Sequence, residues 1–344
     1  MDFKKLEQDA GIVFMGCEPK WQAKDARLKY TESGLACDAQ PGLVTTSNSG
    51  IPSYLSNYFS PEIIDILVSP MKAAEVAGSE KKVGDWTMTT ATFTTVESTG
   101  ETSAYGDYAN NGVSGVNTTF PQRQSFHYQV MTQYGELELE RAGLARIDLV
   151  NRLNAASVLT LNKYQNKTYF YGVAGLQNYG LLNSPNLSAS IIPTTKAAGG
   201  TSWALATALE VLADLKKLFV KLQTQSNGLV EQDTVMTLSL SPTSYSNGFL
   251  TTSEFNVTVA ERVKALYPNL KIVQAVEYST PAGELMQLKA DNVMGQETCS
   301  VAFTEKLRAH PIITDVSSWR QKKSQGTWGA IIYRPFLIAS MLGI

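Results

Sequence analysis

The chain has two histidines, three cysteines, and charged side chains at only 17% of its 344 positions. Each scarcity removes a class of function. His127 and His310 form no His-Glu-x-x-His, and no Cys and His cluster has zinc spacing. There is no Gly-x-Ser-x-Gly and no glycine-rich phosphate loop ending in Lys. Cys17, Cys37 and Cys299 form no close pair, which suits plain thiols in a reducing compartment. No apolar run approaches the roughly 20 residues of a membrane span. The charged start, Met1 to Asp9, is not a secretory signal, so the sequons at Asn117, Asn166, Asn186 and Asn256 carry no meaning. A formal charge of −2 argues against tight general binding to nucleic acid. It does not exclude a container, which must not grip its contents.

What is present is a hydrophobic fraction of 43%, enough for a real core, and a surface poor in charge, which suits extensive contact. The most informative stretch is Trp86 to Tyr134. Trp86 to Val96 is rich in β-branched residues, and Gln124 to Tyr134 alternates, with Phe126, Tyr128, Val130 and Tyr134 on one side. Between them, Gly100 to Pro121 is mostly Gly, Asn, Ser, Thr and Tyr. The pattern predicts a long two-stranded ribbon with no core of its own, and such ribbons are barely stable alone. It therefore lies on another subunit, with Trp86, Tyr105, Tyr108 and Phe120 as aromatic anchors; a core role for these rings is the alternative.

Residues 1–59 read as an extended arm, either disordered or laid over a neighbour. Ser60-Pro61-Glu62 is a helix start, and Pro70 ends that segment. Glu136 to Phe170 is the strongest helical signal, free of proline, with Gly143 its one glycine. Leu144, Ile147, Val150, Asn154, Val158 and Leu161 mark its more apolar line. One unbroken rod of that length would reach roughly 50 Å, and Gly172 stops it. A turn-rich loop, Gly175 to Pro185, leads to a hinge at Gly199-Gly200. Then helix and strand alternate. A helix capped at Thr201 or Ser202 has the stripe Leu205, Leu209, Leu212, Leu215, Phe219 and Leu222. A second, capped at Ser253, carries Phe255, Val259, Val263 and Leu266. Strands are expected over 234–241, 270–276, 284–290 and 298–303, and a last strand over 328–338 is interrupted by Pro335.

Glu136, Glu138 and Glu140 are the densest carboxylates and read as acids favoured at a helix N-terminus, with salt bridges to a neighbouring subunit as the alternative. Lys81-Lys82, Lys216-Lys217 and Arg320 to Lys323 are small basic clusters of the kind found on solvated faces. No convergent set of titratable groups points to catalysis.

The order of elements, with Gly84 to Thr87, Val96 to Glu101, Tyr105 to Tyr108, Tyr134 to Gly143, Asn166 to Gly172, Gly175 to Asn183 and Tyr333-Arg334-Pro335, resembles the major capsid proteins of tailed bacteriophages. That fold is shared by encapsulins and the herpesvirus shell floor. The resemblance implies an α+β tailed-phage capsid fold. Its expected parts are an N-terminal arm (1–59), a first piece of the peripheral domain (60–83), an extended β-ribbon loop (84–135), the peripheral domain with its long spine helix (136–200), an axial α/β domain (201–300), and a return strand with the C-terminus (301–344). It implies an icosahedral shell around double-stranded DNA, with an encapsulin-like compartment as the alternative and an α/β enzyme as a weaker one. It further implies copies meeting as hexamers and pentamers, weak non-specific contact with packaged DNA, and portal, scaffolding or decoration proteins as further partners. No cofactor and no membrane are expected. Assembly would take place in the bacterial host cytoplasm and the product would be the virion. Interface residues expected on this basis are Trp86, Glu97, Glu101, Tyr105, Asp107, Tyr108, Phe120, Arg123, Glu136, Glu140 and Arg141. Some members of the family join subunits by a Lys–Asn isopeptide bond, and no specific pair in this chain is assigned to that role.

Overall fold

The computed structural model describes residues 70–253 and 256–344, all within one unit, Ser69–Ile344. The expected arm, the helix start at Ser60 and Phe255 lie outside the described residues. In chain order the main elements are α1 (Ala73–Ala77), β1 (Glu80–Lys82), β2 (Thr90–Thr92), β3 (Thr95–Glu101), β4 (Val113–Thr119), β5 (Gln122–Gln124), β6 (Phe126–Gly135), α2 (Glu136–Leu144), α3 (Leu149–Tyr171), α4 (Ala208–Gln225), β7 (Met236–Leu240), α5 (Val259–Leu266), β8 (Leu270–Gln274), β9 (Gly283–Ala290), β10 (Cys299–Ala309), β11 (Ile313–Thr314), β12 (Ser318–Ile332) and β13 (Ile338–Leu342).

The first sheet has the order β1-β10-β12-β11, and β6 also pairs with β12. Here the ribbon expectation needs correction. The alternating run at Phe126 is a strand, but it belongs to this sheet: Phe126 pairs with Thr327 and Gly135 with Ser318. Its aromatic face explains the choice. Tyr128 meets Tyr164 of α3 at 4.6 Å between ring centroids, and Tyr134 stacks on Trp319 at 5.5 Å. Those rings gain more by burial against their own chain than they would on a free ribbon. Trp86 to Val96 is not one strand either, because Trp86-Thr87 is a turn and pairing begins only at Thr90.

The rod is also corrected. It breaks into α2 and α3 at Ala145 to Asp148, where Arg146 takes the left-handed φ of 57°. Asp148 supplies the cause, since its carboxylate accepts the Asn151 N–H at 3.3 Å and so caps a fresh helix. Leu144 and Ile147, expected on the buried line, are exposed. Gly172 does end α3, at φ 64°.

β12 starts ten residues before the expected strand at Trp328 and stops before Pro335; the chain then turns and enters the second sheet as β13. The expected strand at 298–303 is the start of β10 and belongs to the first sheet, not to the α/β unit.

The second sheet runs β13-β9-β7-β8, with β7 and β8 parallel. Helices α4 and α5 cover it around Val211, Leu218, Leu222, Leu238, Val263 and Met286. Both helix starts differ from expectation. Ser202 caps only a short 3₁₀ turn, Trp203–Leu205, and Thr207 with Glu210 forms the capping box of α4. That restart leaves Leu205 and Leu209 at 72% and 75% exposure, while Trp203 takes the inner position. Thr258 with Glu261, rather than Ser253, caps α5. A second core cluster joins the two sheets, with Ala73, Tyr169, Phe170 and Val301 beside Val273, Tyr278 and Ile338.

Candidate assembly interface

The ribbon proper is β3 paired with β4, seated on the short pair of β2 with β5. Every residue of β4, and all of β3 except Thr95, is exposed. Alternation gives it two unlike faces. Val96, Ser98 and Gly100 share one face with Thr118, Val116 and Ser114, which is uncharged. Glu97 and Glu101 share the other with Asn117 and Val113. Residues 95–119 hold Glu97, Glu101 and Asp107 and no Lys or Arg. At the tip, Tyr105 and Tyr108 are fully in solvent, and Phe120 is exposed at the far strand's end.

Two residues expected at the interface lie in their own chain. Trp86 is half-buried, edge-on to His127 at 4.2 Å, with the Arg308 guanidinium 4.9 Å from its ring centre. Arg123 is buried at the ribbon's base, 4.9 Å from the centre of the Tyr179 ring, and burial lowers its pKa. The structure does place Glu136, Glu140 and Arg141 at the surface, on helix α2, none of whose residues is buried. Among the described residues, no hydrogen bond or ion pair joins them to Glu97, Glu101 or Asp107, which also face outward.

Helix α3 rests on β12 through polar contacts that the sequence pattern hid. Lys323 Nζ donates to Asn154 Oδ1 and to Ser157 Oγ, each at 2.7 Å. Gln325 Nε2 donates to Asn162 Oδ1 at 3.0 Å, and Tyr128 OH donates to Gln325 Oε1 at 2.7 Å. Thr168 Oγ1 meets Thr327 Oγ1 at 3.4 Å. The spacing of Asn154, Ser157, Leu161, Gln165 and Thr168 is helical, which was the available signal. The opposite face of α3 is exposed at Arg152, Ala155, Ala156, Lys163 and Lys167. This helix carries those three cations and no Asp or Glu.

The loop after α3 is clamped by close backbone approach. A Cβ on Gly172 would lie 2.3 Å from the Asn178 carbonyl oxygen, and one on Gly180 would lie 2.2 Å from that of Phe170. Asn178 Nδ2 donates to Gln124 O at 3.1 Å and to Thr327 O at 3.2 Å, tying ribbon base, loop and sheet together.

A family model for the Pa193 gp26 major capsid protein matches residues 42–343. The chain belongs to that family. This capsid protein is therefore a shell subunit with a structural role, and the encapsulin reading is not favoured. The fold is that of tailed-phage capsids. The capsid of Myoviridae phage XM1 superposes with a TM-score of 0.74 at 13% identity, over 87% of this chain and 100% of that one. The capsid of an empty GTA particle gives 0.56 at 11% identity, over 87% and 99%. Mycobacterium phage Ogopogo gives 0.56 at 9% identity, over 85% and 98%. No curated protein matches the chain. Among the described residues, no group of His, Cys, Asp or Glu is arranged to hold a metal ion, and no helix is long and apolar enough to cross a membrane.

Proposed function

We propose that the β3–β4 ribbon of one copy lies across α3 of a neighbouring copy, and that this contact, repeated around hexamers and pentamers, closes an icosahedral shell. The observation that carries the reading is a ribbon exposed along nearly its whole length, acidic and free of cations, in a chain whose longest helix is basic and free of acids. Ala155 and Ala156 on the exposed side of α3 leave room for a backbone to come close. Glu97, Glu101, Tyr105, Asp107, Tyr108 and Phe120 supply the ribbon's side of the contact. Glu136, Glu140 and Arg141 extend it along α2.

Each exposed ion pair is worth only about 0–1 kcal/mol. Closed symmetry satisfies all the contacts at once, and simultaneous contacts raise effective affinity. Weak single contacts also let a misplaced subunit leave. Residues 90–124 act as the extended loop, 126–200 belong with the peripheral domain, and 201–298 act as the axial domain around five-fold and six-fold positions. The shell takes up double-stranded DNA with weak, non-specific contact, in keeping with a net charge of −2. Portal, scaffolding or decoration proteins complete the particle, which assembles in the bacterial host cytoplasm.

Charge reversal tests the contact. Glu97→Lys with Glu101→Lys should leave a folded subunit that no longer forms shells in electron micrographs, and adding Lys163→Glu with Lys167→Glu should restore them. Normal shells from the first variant would sink the proposal.

A further inference from the structure

The sequence contains three Asn-Gly dipeptides, Asn111-Gly112, Asn227-Gly228 and Asn247-Gly248. Glycine has no Cβ to shield its nitrogen, so in each the backbone nitrogen could reach the asparagine side-chain carbonyl. The fold disarms two of them. Gly228 donates its N–H to Gln223 O at 3.0 Å, and Asn227 is fixed at φ 50°. Asn247-Gly248 sits inside the helical turn Tyr245–Phe249, where the Asn247 carbonyl accepts the Thr251 hydroxyl at 2.5 Å. Gly248 is buried so close to Trp203 that a Cβ would lie 2.2 Å from its ring, which pins the backbone of this turn in its helical form. Asn111 and Gly112 lie in the ribbon tip, residues 102–112, exposed and outside any helix or strand.

We propose that Asn111 is a self-modification site. The Gly112 nitrogen attacks the Asn111 side-chain carbon, a C–N bond forms, and the side-chain amide leaves as ammonia, giving a succinimide. Water then opens the ring at one carbonyl or the other, giving aspartate or isoaspartate. One water is consumed and one ammonia released, with no change of oxidation state. The product adds a carboxylate to a ribbon that already carries Glu97, Glu101 and Asp107 without a cation. The isoaspartyl form also lengthens the tip backbone by one methylene.

The test is a time course of the full-length chain at mildly alkaline pH, read residue by residue by peptide mass spectrometry with fragmentation that separates aspartate from isoaspartate. Asn111 should convert first, to both products, while Asn227 and Asn247 persist. In urea all three should convert at comparable rates, because the discrimination is made by the fold. Gly112→Ala should slow conversion roughly tenfold by hindering ring closure. A Cβ at Gly112 meets nothing closer than 3.5 Å, so this variant keeps the ribbon. Persistence of Asn111, equal rates at the three sites in the folded chain, or unchanged conversion in Gly112→Ala would overturn the assignment.

Discussion

Lys323 on the central strand donates to Asn154 on α3 at 2.7 Å, and to Ser157 one turn on at the same distance. Lys323 is buried, and those oxygens stand in for the water its ammonium has lost. Helix and sheet are thus joined by polar bonds whose value lies mainly in being satisfied.

Lys323→Met should lower the stability of the unassembled subunit by about 1–3 kcal/mol, because it leaves buried acceptors without a donor. Adding Asn154→Leu and Ser157→Ala should recover most of that loss, since removing both partners is nearly neutral. Urea midpoints of the free subunit decide the matter. No recovery in the combined variant would mean that Lys323 acts through something else.

Burial also holds the Lys323 pKa below its ordinary value of 10.5. The sign follows from proton counting. Between the lowered folded value and 10.5 the unfolded chain binds more protons, so stability rises with pH across that window. Below the folded value the cost of the buried charge is present in full. Subtracting the Lys323→Met profile of urea midpoint against pH from the parent's should show this rise; a flat difference would refute it.

Asp214, fully buried on α4, accepts from Thr194 N at 3.0 Å, the Thr194 hydroxyl at 2.5 Å, Trp203 Nε1 at 3.0 Å and the Lys196 ammonium. Burial works to raise its pKa, but those donors outweigh it and hold the value below the ordinary 3.8. Its contribution is therefore complete above 3.8 and lost as pH falls through the lowered folded value. Lys196→Met, which strands a buried carboxylate, should cost roughly 3–5 kcal/mol at neutral pH. It should also make the subunit less sensitive to acid over that window. Midpoints measured from neutral to strongly acidic pH would expose an error in either part.

Gly172→Ala should destabilise by about 1–3 kcal/mol or more. The added methyl would lie 2.3 Å from the Asn178 oxygen, at a φ of 64° that L-residues resist. Gly143→Ala, whose Cβ meets nothing within 4 Å in the exposed helix α2, should stabilise slightly. Thermal melting of the pair gives opposite signs if the clamp is real.

Val150→Pro and Val158→Pro separate the two-helix description from a single rod. Val150 is the second residue of α3, where a missing N–H costs little, whereas Val158 lies in its interior. The first variant should fold and the second should not. Equal damage from both would mean that α2 and α3 are continuous.

Much of the fold was legible because it follows from local chemistry. Gly172 as a helix stop, the strand expected over 234–241 and found as β7, and the exposed tract around Tyr105 and Tyr108 can all be read from side-chain type and spacing. The misreadings share one cause. Periodicity says that a face is buried but not by what, so Phe126 to Gly135 looked like half of a ribbon until β12 proved to be its partner. Arg320 to Lys323 looked solvated because charge on a strand usually is, and only α3 lying across it supplies Asn154 and Ser157. Among the interface candidates, Trp86 and Arg123 have partners in their own chain that no local pattern announces, since Arg308, His127 and Tyr179 are distant in sequence.

The sequence alone determined that this chain carries a long polar excursion unable to build a core, followed by a long helical stretch. Those properties are local, set by composition and spacing. Only the tertiary structure decided where the excursion truly begins, which of its two runs remains exposed, and which of three identical Asn-Gly dipeptides is left unprotected. Those outcomes depend on partners brought together from far along the chain, through burial and hydrogen bonds that no short window contains.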